Sequence, residues 1–302
     1  MSLSICTIGH GRADHLLNLI EGLRRQVLPP AEIVIAVMQD DPYDLPDAGF
    51  PVRQIMMDDR GLALAAARNA AAQAATSDKI AFLDIDCIPA PDFVADYTSL
   101  LDRGEALLMG EMLYLPAGAT QDGIDYDRFA GTAVLHSERA GPPDDMIGEC
   151  SDYRCFWSLN FAMHRAAFDR VGGFDERYRG YGGEDTDFGR VVSISGLPIR
   201  WCRGALAYHQ YHPHHMPPVH HIDSVIANAT LFAEKWGHYT MEHWLQCFEL
   251  MGLVRMDGPR PVRVREVTED DLALTRQQAH EPYASAATVF RLLTGRAAMA
   301  AA

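Results

Sequence analysis

The chain has 302 residues, 48% hydrophobic and 22% charged, which suffices for one large or two small packed domains of a soluble globular protein. A formal net charge of −15 makes the phosphate term of non-specific nucleic-acid or anionic-membrane binding repulsive, so neither is expected as a partner. No apolar run approaches the ~20 residues that span a bilayer, so no transmembrane segment is expected.

The first residues, Met1 to Ile5, enter a strand directly, without the basic and apolar segments of an export signal. The six cysteines are scattered, with no Cys-x-x-Cys pair. That usage points to reduced, buried thiols and a cytoplasmic location.

In chain order, Leu3 to Ile8 reads as a strand, followed by Gly9-His10-Gly11-Arg12 and a helix capped by Asp14 with Leu16, Leu19, Ile20 and Leu23 on one face. Glu32 to Met38 and Val52 to Met57 are further strands, ending in Asp40-Asp41 and Asp58-Asp59. The Ala-rich segment Leu62 to Ala75 is a helix suited to close packing on a sheet, with Arg68-Asn69 interrupting it. Lys79 to Leu83 is a fourth strand, running into Asp84-Ile85-Asp86. Alternating strands and helices predict an α/β fold: a doubly wound, mostly parallel sheet with helices on both faces. Ligands of such sheets bind at the carboxyl ends of the strands. Arg12, Asp40, Asp41, Asp58, Asp59, Asp84 and Asp86 therefore line the expected crevice, although Asp also terminates strands as turn chemistry.

Further on, Ala106 to Leu115 reads as a strand and residues 116–150 as long loops. Ser158 to Val171 reads as a strand and then a helix, Glu184 to Ser195 as a helix, and Pro198 to Ala207 as a strand. A His-rich run follows from His209 to His215. Residues from Ile222 to Trp236 and from Met241 to Met251 keep helical character, and an Ala-rich helix closes the chain. The organisation expected is 1–105 and 106–222 as two halves of one domain, with 223–302 as a C-terminal helical extension.

Asp84 and Asp86, two apart at a strand end, would leave one face if the backbone stays extended. Such a pair can hold Mg²⁺ or Mn²⁺ together with a diphosphate, or can simply be turn acids before Pro89. Glu184, Asp185 and Asp187 open a helix, where acids complement the macrodipole by ~0.3–1 kcal/mol each. The flanking pairs Gly172-Gly173 and Gly182-Gly183 ask for more, since glycine lets backbone approach something closely. A carboxylate held near a hydroxyl is a natural general base. His209, directly after a strand, could complete a metal site begun by Asp86, whereas His214, His215, His220 and His221 read as a solvated loop. Trp157 and Asn160 are either core residues or the lining of an acceptor pocket. Cys150 and Cys155 are not patterned as a zinc site.

Taken together, Ala67-Arg68-Asn69, Phe82 to Asp86, Asn160, Val171 to Glu176 and Tyr181 to Phe188 resemble the nucleotide-sugar glycosyltransferases of the GT-A fold. The likeness is to family 2-like enzymes with a galactosyltransferase-type C-terminal region, over roughly residues 3 to 236, and Lys235-Trp236-Gly237 looks like that family's late helix. The resemblance implies that Thr7, Arg12 and Asp40 contact the nucleoside, that Arg68 sits near the nucleotide, and that Asp84 and Gly173 approach the sugar. It implies Asp86 as ligand of a bridging Mn²⁺ or Mg²⁺, with His209 or His212 as the late ligand. Leu206 stands where some galactosyltransferases carry a ligating Met. Asp185 would be the catalytic base, Glu184 would hold a hydroxyl, and Asp187 would serve helix capping and charge alone. Trp157 and Asn160 would lie on the acceptor side, and residues from His212 to His221 would form a lid. The activity implied is metal-dependent, inverting transfer of a hexose from a nucleotide-sugar, a UDP-sugar for preference, to a carbohydrate or other hydroxyl-bearing acceptor.

Three other readings compete. A Rossmann dehydrogenase would want a third glycine where Asp14 stands after Gly9-x-Gly11. A nucleotidyltransferase also uses paired acids and a divalent metal, but has no need of the acids near Gly183. A non-catalytic carbohydrate-binding protein of the same fold would be indifferent to Asp185→Asn.

Overall fold

The computed structural model describes residues 2–58 and 61–300, so Asp59, one of the acids assigned to the crevice, lies outside the described residues. The chain divides into two compact units, Met1–Arg177 with Glu184–Tyr211, and Tyr178–Gly183 with His212–Ala302.

The first unit opens with β1 (Leu3–Gly9), α1 (Ala13–Arg24), β2 (Glu32–Val37), β3 (Val52–Met56), α2 (Leu64–Ala74) and β4 (Lys79–Leu83). It continues with β5 (Cys87–Pro89), α3 (Phe93–Leu101), β6 (Leu107–Met109), β7 (Met112–Tyr114), α4 (Tyr126–Thr132), β8 (Ile147–Glu149), β9 (Asn160–His164) and α5 (Arg165–Val171). After the excursion through Tyr178–Gly183 it resumes with α6 (Glu184–Ile194), β10 (Ile199–Cys202) and β11 (Ala207–His209).

Eight strands form one sheet in the order β3-β2-β1-β4-β9-β6-β10-β8. Pairs β1/β2, β2/β3, β1/β4 and β6/β10 are parallel, and β9 runs antiparallel to both β4 and β6. The alternation of side chains along a strand splits the core in two. Cys6, Ile8, Val34, Ala36, Ile80 and Phe82 pack with the alanines of α2 and with Phe168 and Phe188 of α5 and α6. Lys79, on the other face of β4, donates to Thr98 O and Asp102 Oδ1 at 2.7 Å on the α3 side. The doubly wound α/β expectation therefore holds.

Corrections are local. Asp14 does not cap α1; Arg12 does, in a left-handed conformation (φ 52°), and Asp14 sits in the first turn. The single strand expected over Ala106 to Leu115 breaks at Gly110-Glu111 into β6 and β7, which join different sheets, and β7 pairs with β11 and β5 in a three-stranded sheet. Pro198 to Ala207 divides in the same way. The loops over 116–150 contain α4 and β8.

The second unit comprises α7 (Ile222–Trp236), α8 (Glu242–Leu250), the hairpin β12 (Val254–Asp257) and β13 (Arg260–Arg263), α9 (Glu269–Thr275) and α10 (Ala286–Ala300). Val225, Ala229, Leu245 and Phe248 form its core. Tyr178–Gly183 is bound into it: Asn228 Nδ2 donates to Arg179 O and Gly182 O at 2.9 and 2.8 Å. No described helix is long and apolar enough to cross a membrane.

Candidate active site

The topology brings the carboxyl ends of β3, β2, β1 and β4 to one end of the sheet. Asp58, Asp40, Arg12 and Asp84 follow those ends, and Asn160 opens β9 opposite Leu83. Asp40 and Asp58 are exposed. Thr7 lies within β1, buried, and its Oγ1 has no hydrogen-bond partner among the described residues. Gln39, not singled out from the sequence, shapes the loop after β1 by accepting from Gly11 N at 2.8 Å, and Tyr43 donates to Gly11 O at 2.7 Å.

Arg68 occupies the centre. The alanines around it let α2 pack closely on β1 and β2 and leave Arg68 4% exposed. Nη2 donates to Asp84 Oδ1 at 3.3 Å and Nη1 to Glu184 Oε1 at 3.1 Å. Glu184 is buried, and its second oxygen, Oε2, has no hydrogen-bond partner among the described residues. Asp185 Oδ1 accepts from Thr186 N at 2.7 Å. Burial, reinforced by the Glu184 charge, pushes the Asp185 carboxyl up to about 7 against the pull of Arg68. Burial likewise raises Asp84 to about 6, with Arg68 pulling it down and Asp86 pushing it up.

Asp84 and Asp86 are not on an extended strand. Cys87 N donates to Asp84 O at 3.0 Å, closing a turn between β4 and β5, so alternation along a strand does not set their directions. Asp86 is buried and paired with Arg12. Its Oδ1 lies 3.6 Å from Nε2 of His209, the last residue of β11. The His209 ring stacks on Tyr114 at 4.7 Å. Gln210, another residue the sequence reading passed over, secures this corner: its N donates to Asp86 O at 2.7 Å, and its side chain accepts from Asn18 at 2.8 Å. His212 opens the later stretch of the second unit, its ring 5.3 Å from that of His214.

Three expected roles meet a different setting. Asn160 is fully buried, donating to Glu111 O and Ala205 O at 2.9 Å and accepting from Tyr97 Oη at 2.6 Å; its polar atoms are spent inside the fold, and no face remains for an acceptor. Asp187 stands in the first turn of α6 as expected, but it is 1% exposed, an interior carboxylate beside Phe188. The glycines serve docking within the protein. Gly173 (φ +67°) lies so close to Asn69 that a Cβ would stand 2.6 Å from Asn69 Oδ1, and one on Gly182 would meet Met241 Sδ at 2.6 Å. Asn69 is the partner the sequence reading missed, accepting from Phe174 N and donating to Phe174 O, both at 2.9 Å. Trp157 is half-buried, edge-on to His136 at 5.1 Å.

The comparisons agree with this architecture. The chain is similar to the validoxylamine A glucosyltransferase of Streptomyces hygroscopicus subsp. limoneus, 25% identical over 257 residues that cover 74% of this chain and 54% of that protein. The chain thus spans about half the length of this relative. Among solved structures, S. aureus TarS 1-349 in complex with UDP-GlcNAc superposes with a TM-score of 0.54 at 14% identity, over 82% of this chain and 70% of its own. GalNAc-T7 with UDP, GalNAc and Mn²⁺ does so with a TM-score of 0.52 at 16% identity, over 70% of this chain and 44% of its own. The GT-A-type fold expected from the sequence is borne out. A family model described as the N-terminal domain of galactosyltransferase matches residues 146–215, in keeping with the galactosyltransferase likeness of the later part of the chain. The glycosyl transferase family 2 model matches residues 4–172, more than half of the sequence, and the chain belongs to that family.

Proposed function

We propose that the chain is a metal-dependent, inverting hexosyltransferase that moves a sugar from a nucleotide-sugar, preferentially a UDP-sugar, to a hydroxyl-bearing acceptor. The observation that carries this reading is the head of α6. There Glu184 is fixed by Arg68 with a second buried oxygen that takes no hydrogen bond from the described residues, and Asp185 beside it is tuned to about 7. A general base works best when its pKa lies near the operating pH. Asp185 takes the proton of the acceptor hydroxyl as that oxygen attacks the anomeric carbon; the bond from that carbon to the diphosphate breaks, and a nucleoside diphosphate leaves. Attack opposite the leaving group inverts the anomeric centre. Glu184 Oε2 receives a hydroxyl of donor or acceptor, and Arg68 keeps Glu184 aimed.

Residues 1–105 form the donor half in this reading, 106–222 the acceptor half, and 223–302 the helical extension. Thr7, Arg12 and Asp40 face the nucleoside, Asp84 the sugar or ribose, and Trp157 the acceptor. Gly173 acts on the donor indirectly, by seating the segment that leads to α6. Asp86 and His209 are an oxygen–nitrogen donor pair 3.6 Å apart, which suits Mn²⁺ and accepts Mg²⁺, and they would hold the ion. When bound, a divalent ion supplies charge neutralisation to the departing diphosphate. Both solved neighbours were captured with uridine nucleotides, and GalNAc-T7 with Mn²⁺, which supports the same donor class here.

The test is a screen of nucleotide-sugars for donor hydrolysis with Mn²⁺, with Mg²⁺ and with chelator, repeated for Asp185→Asn. Hydrolysis of one UDP-sugar that requires the metal is expected. No turnover or binding of any nucleotide-sugar with either metal sinks the proposal.

A further inference from the structure

Between Val134, which bridges to Tyr114, and β8 the chain forms no helix or strand, and its inside–outside pattern is reversed. Val134, Leu135 and Met146 are exposed. The two buried residues of this stretch are His136 and Arg139, Arg139 at 8% exposure. Packing alone favours the opposite arrangement.

Arg139 lies over two indoles, its guanidinium carbon 5.1 Å from the ring centre of Trp157 and 5.0 Å from that of Trp201. Nη1 and Nη2 are buried and have no hydrogen-bond partner among the described residues. Cation–π contact offsets part of the cost of burial. Stripping water from an ion remains unfavourable, and burial accordingly pushes Arg139 below its ordinary value. Glu111 borders the same space, but its Oε1 already accepts from Gly204 N at 2.6 Å. What the guanidinium lacks is an oxyanion, which its forked N–H groups match in pairs.

The position matters as much as the deficit. Trp157 touches His136 at 5.1 Å, His136 touches Tyr114 at 5.3 Å, and Tyr114 stacks on His209. Arg139 therefore stands behind one continuous aromatic wall that ends at the candidate metal ligand. The cavity beside it, lined by Gly110, Glu111, Leu135, Trp201 and Cys202, is about 10 Å³, room for a single water. A larger oxyanion enters only if the loop carrying Arg139 moves outward.

We propose that Arg139 is an anion-recognition residue of the acceptor side, and that loop 134–146 shifts to let it take a carboxylate or phosphate carried by the acceptor. This rests on the transferase reading above, and it narrows the acceptor to an acidic molecule.

The experiment needs neither donor nor metal. The protein is titrated with D-glucuronate, with inorganic phosphate and with neutral methyl glucoside, reading the fluorescence of Trp157 and Trp201. The expected result is a saturable change with an anion, none with the neutral sugar, loss of the change in Arg139→Met, and binding weakened about tenfold or more in Arg139→Lys, whose ammonium lacks the fork. Response to glucuronate alone, or to phosphate alone, identifies the acidic group. If the Met variant does not fold, the Lys variant decides. No saturable response in the wild type, or the same response in every folded variant, overturns the proposal. A wild type that turns over nucleotide-sugar but ignores both anions refutes only this inference. One that binds the anions through Arg139 but turns over no nucleotide-sugar refutes only the transferase reading.

Discussion

Arg68 Nη1 lies 3.1 Å from Glu184 Oε1, across 116 residues of sequence, and the same guanidinium reaches Asp84 at 3.3 Å. One buried cation thus ties α2, the end of β4 and the head of α6 together. Removing it leaves Glu184 buried without its counter-charge, and breaking such a pair costs about 3–5 kcal/mol. Arg68→Met is expected to lower the urea midpoint accordingly, and Arg68→Met/Glu184→Gln to recover much of the loss. A single variant as stable as the wild type would mean the pair is not formed in solution.

Asp185 governs a pH profile. A base raised to about 7 must be deprotonated to work, so kcat/KM is expected to rise with pH through about 7 and level above it. Asp185→Asn should lose about 10²–10⁴-fold in kcat and lose that limb. The same shift acts on stability. Because the folded value exceeds the ordinary 3.8, the favourable contribution is complete below 3.8 and is lost as pH rises to about 7. Asp185→Asn should therefore be more stable than the wild type at pH 8, with the difference vanishing near pH 4. A profile flat between pH 6 and 8 in the wild type would rule out this base.

Metal binding should depend on the Asp86–His209 corner. Asp86→Ala and His209→Ala are each expected to raise the Mn²⁺ concentration for half-maximal activity by at least about 10–100-fold, the scale already seen for groups that only support ligands. Activity in chelator equal to that in Mn²⁺ would count decisively against both.

In the second unit, Asp271 accepts from Arg265 Nη1 and Nη2 at 2.6 and 2.9 Å and closes a capping box with Thr268 at the start of α9. Those bonds, the Arg265 pair foremost, hold its carboxyl well below the usual range. The contribution is present above about 3.8 and fades as pH falls through the lowered folded value. Arg265 is partly exposed and screened, so Asp271→Asn should cost only about 1–2 kcal/mol at pH 7. Thermal denaturation of the variant at pH 7 and pH 3 checks the sign, and an undiminished gap at pH 3 contradicts it.

The sheet was readable because β1, β2 and β4 are short apolar runs separated by amphipathic or Ala-rich helices, and that period carries through burial on both faces. The acids were readable as chemistry-bearing residues because carboxylates cluster at strand ends and at the head of α6. Their environment was not. Whether Asp84 and Asp86 share a face depends on a turn closed by Cys87 N, and whether Asp187 meets water depends on which side of α6 packs inward. Asn160 shows the limit clearly, since nothing local reveals that Tyr97, Glu111 and Ala205 will consume its amide. Gln210 and Tyr114 went unnoticed because their parts depend on strand pairing between β11, β5 and β7.

Tyr178–Gly183 belongs to the second unit, yet Glu184 and Asp185 follow it without an intervening residue. The two halves of this protein are therefore not separable modules in inheritance or in engineering. A chain stopped at Tyr211 would keep every residue of the eight-stranded sheet and still leave six residues without Asn228, Met241 and Trp244 to hold them, immediately upstream of the proposed base. Exchanging the C-terminal helices for those of a relative would do likewise unless the replacement accepts the same bare backbone at Gly182. Diversification of the C-terminal unit is thus constrained by a segment that lies well before it in the sequence.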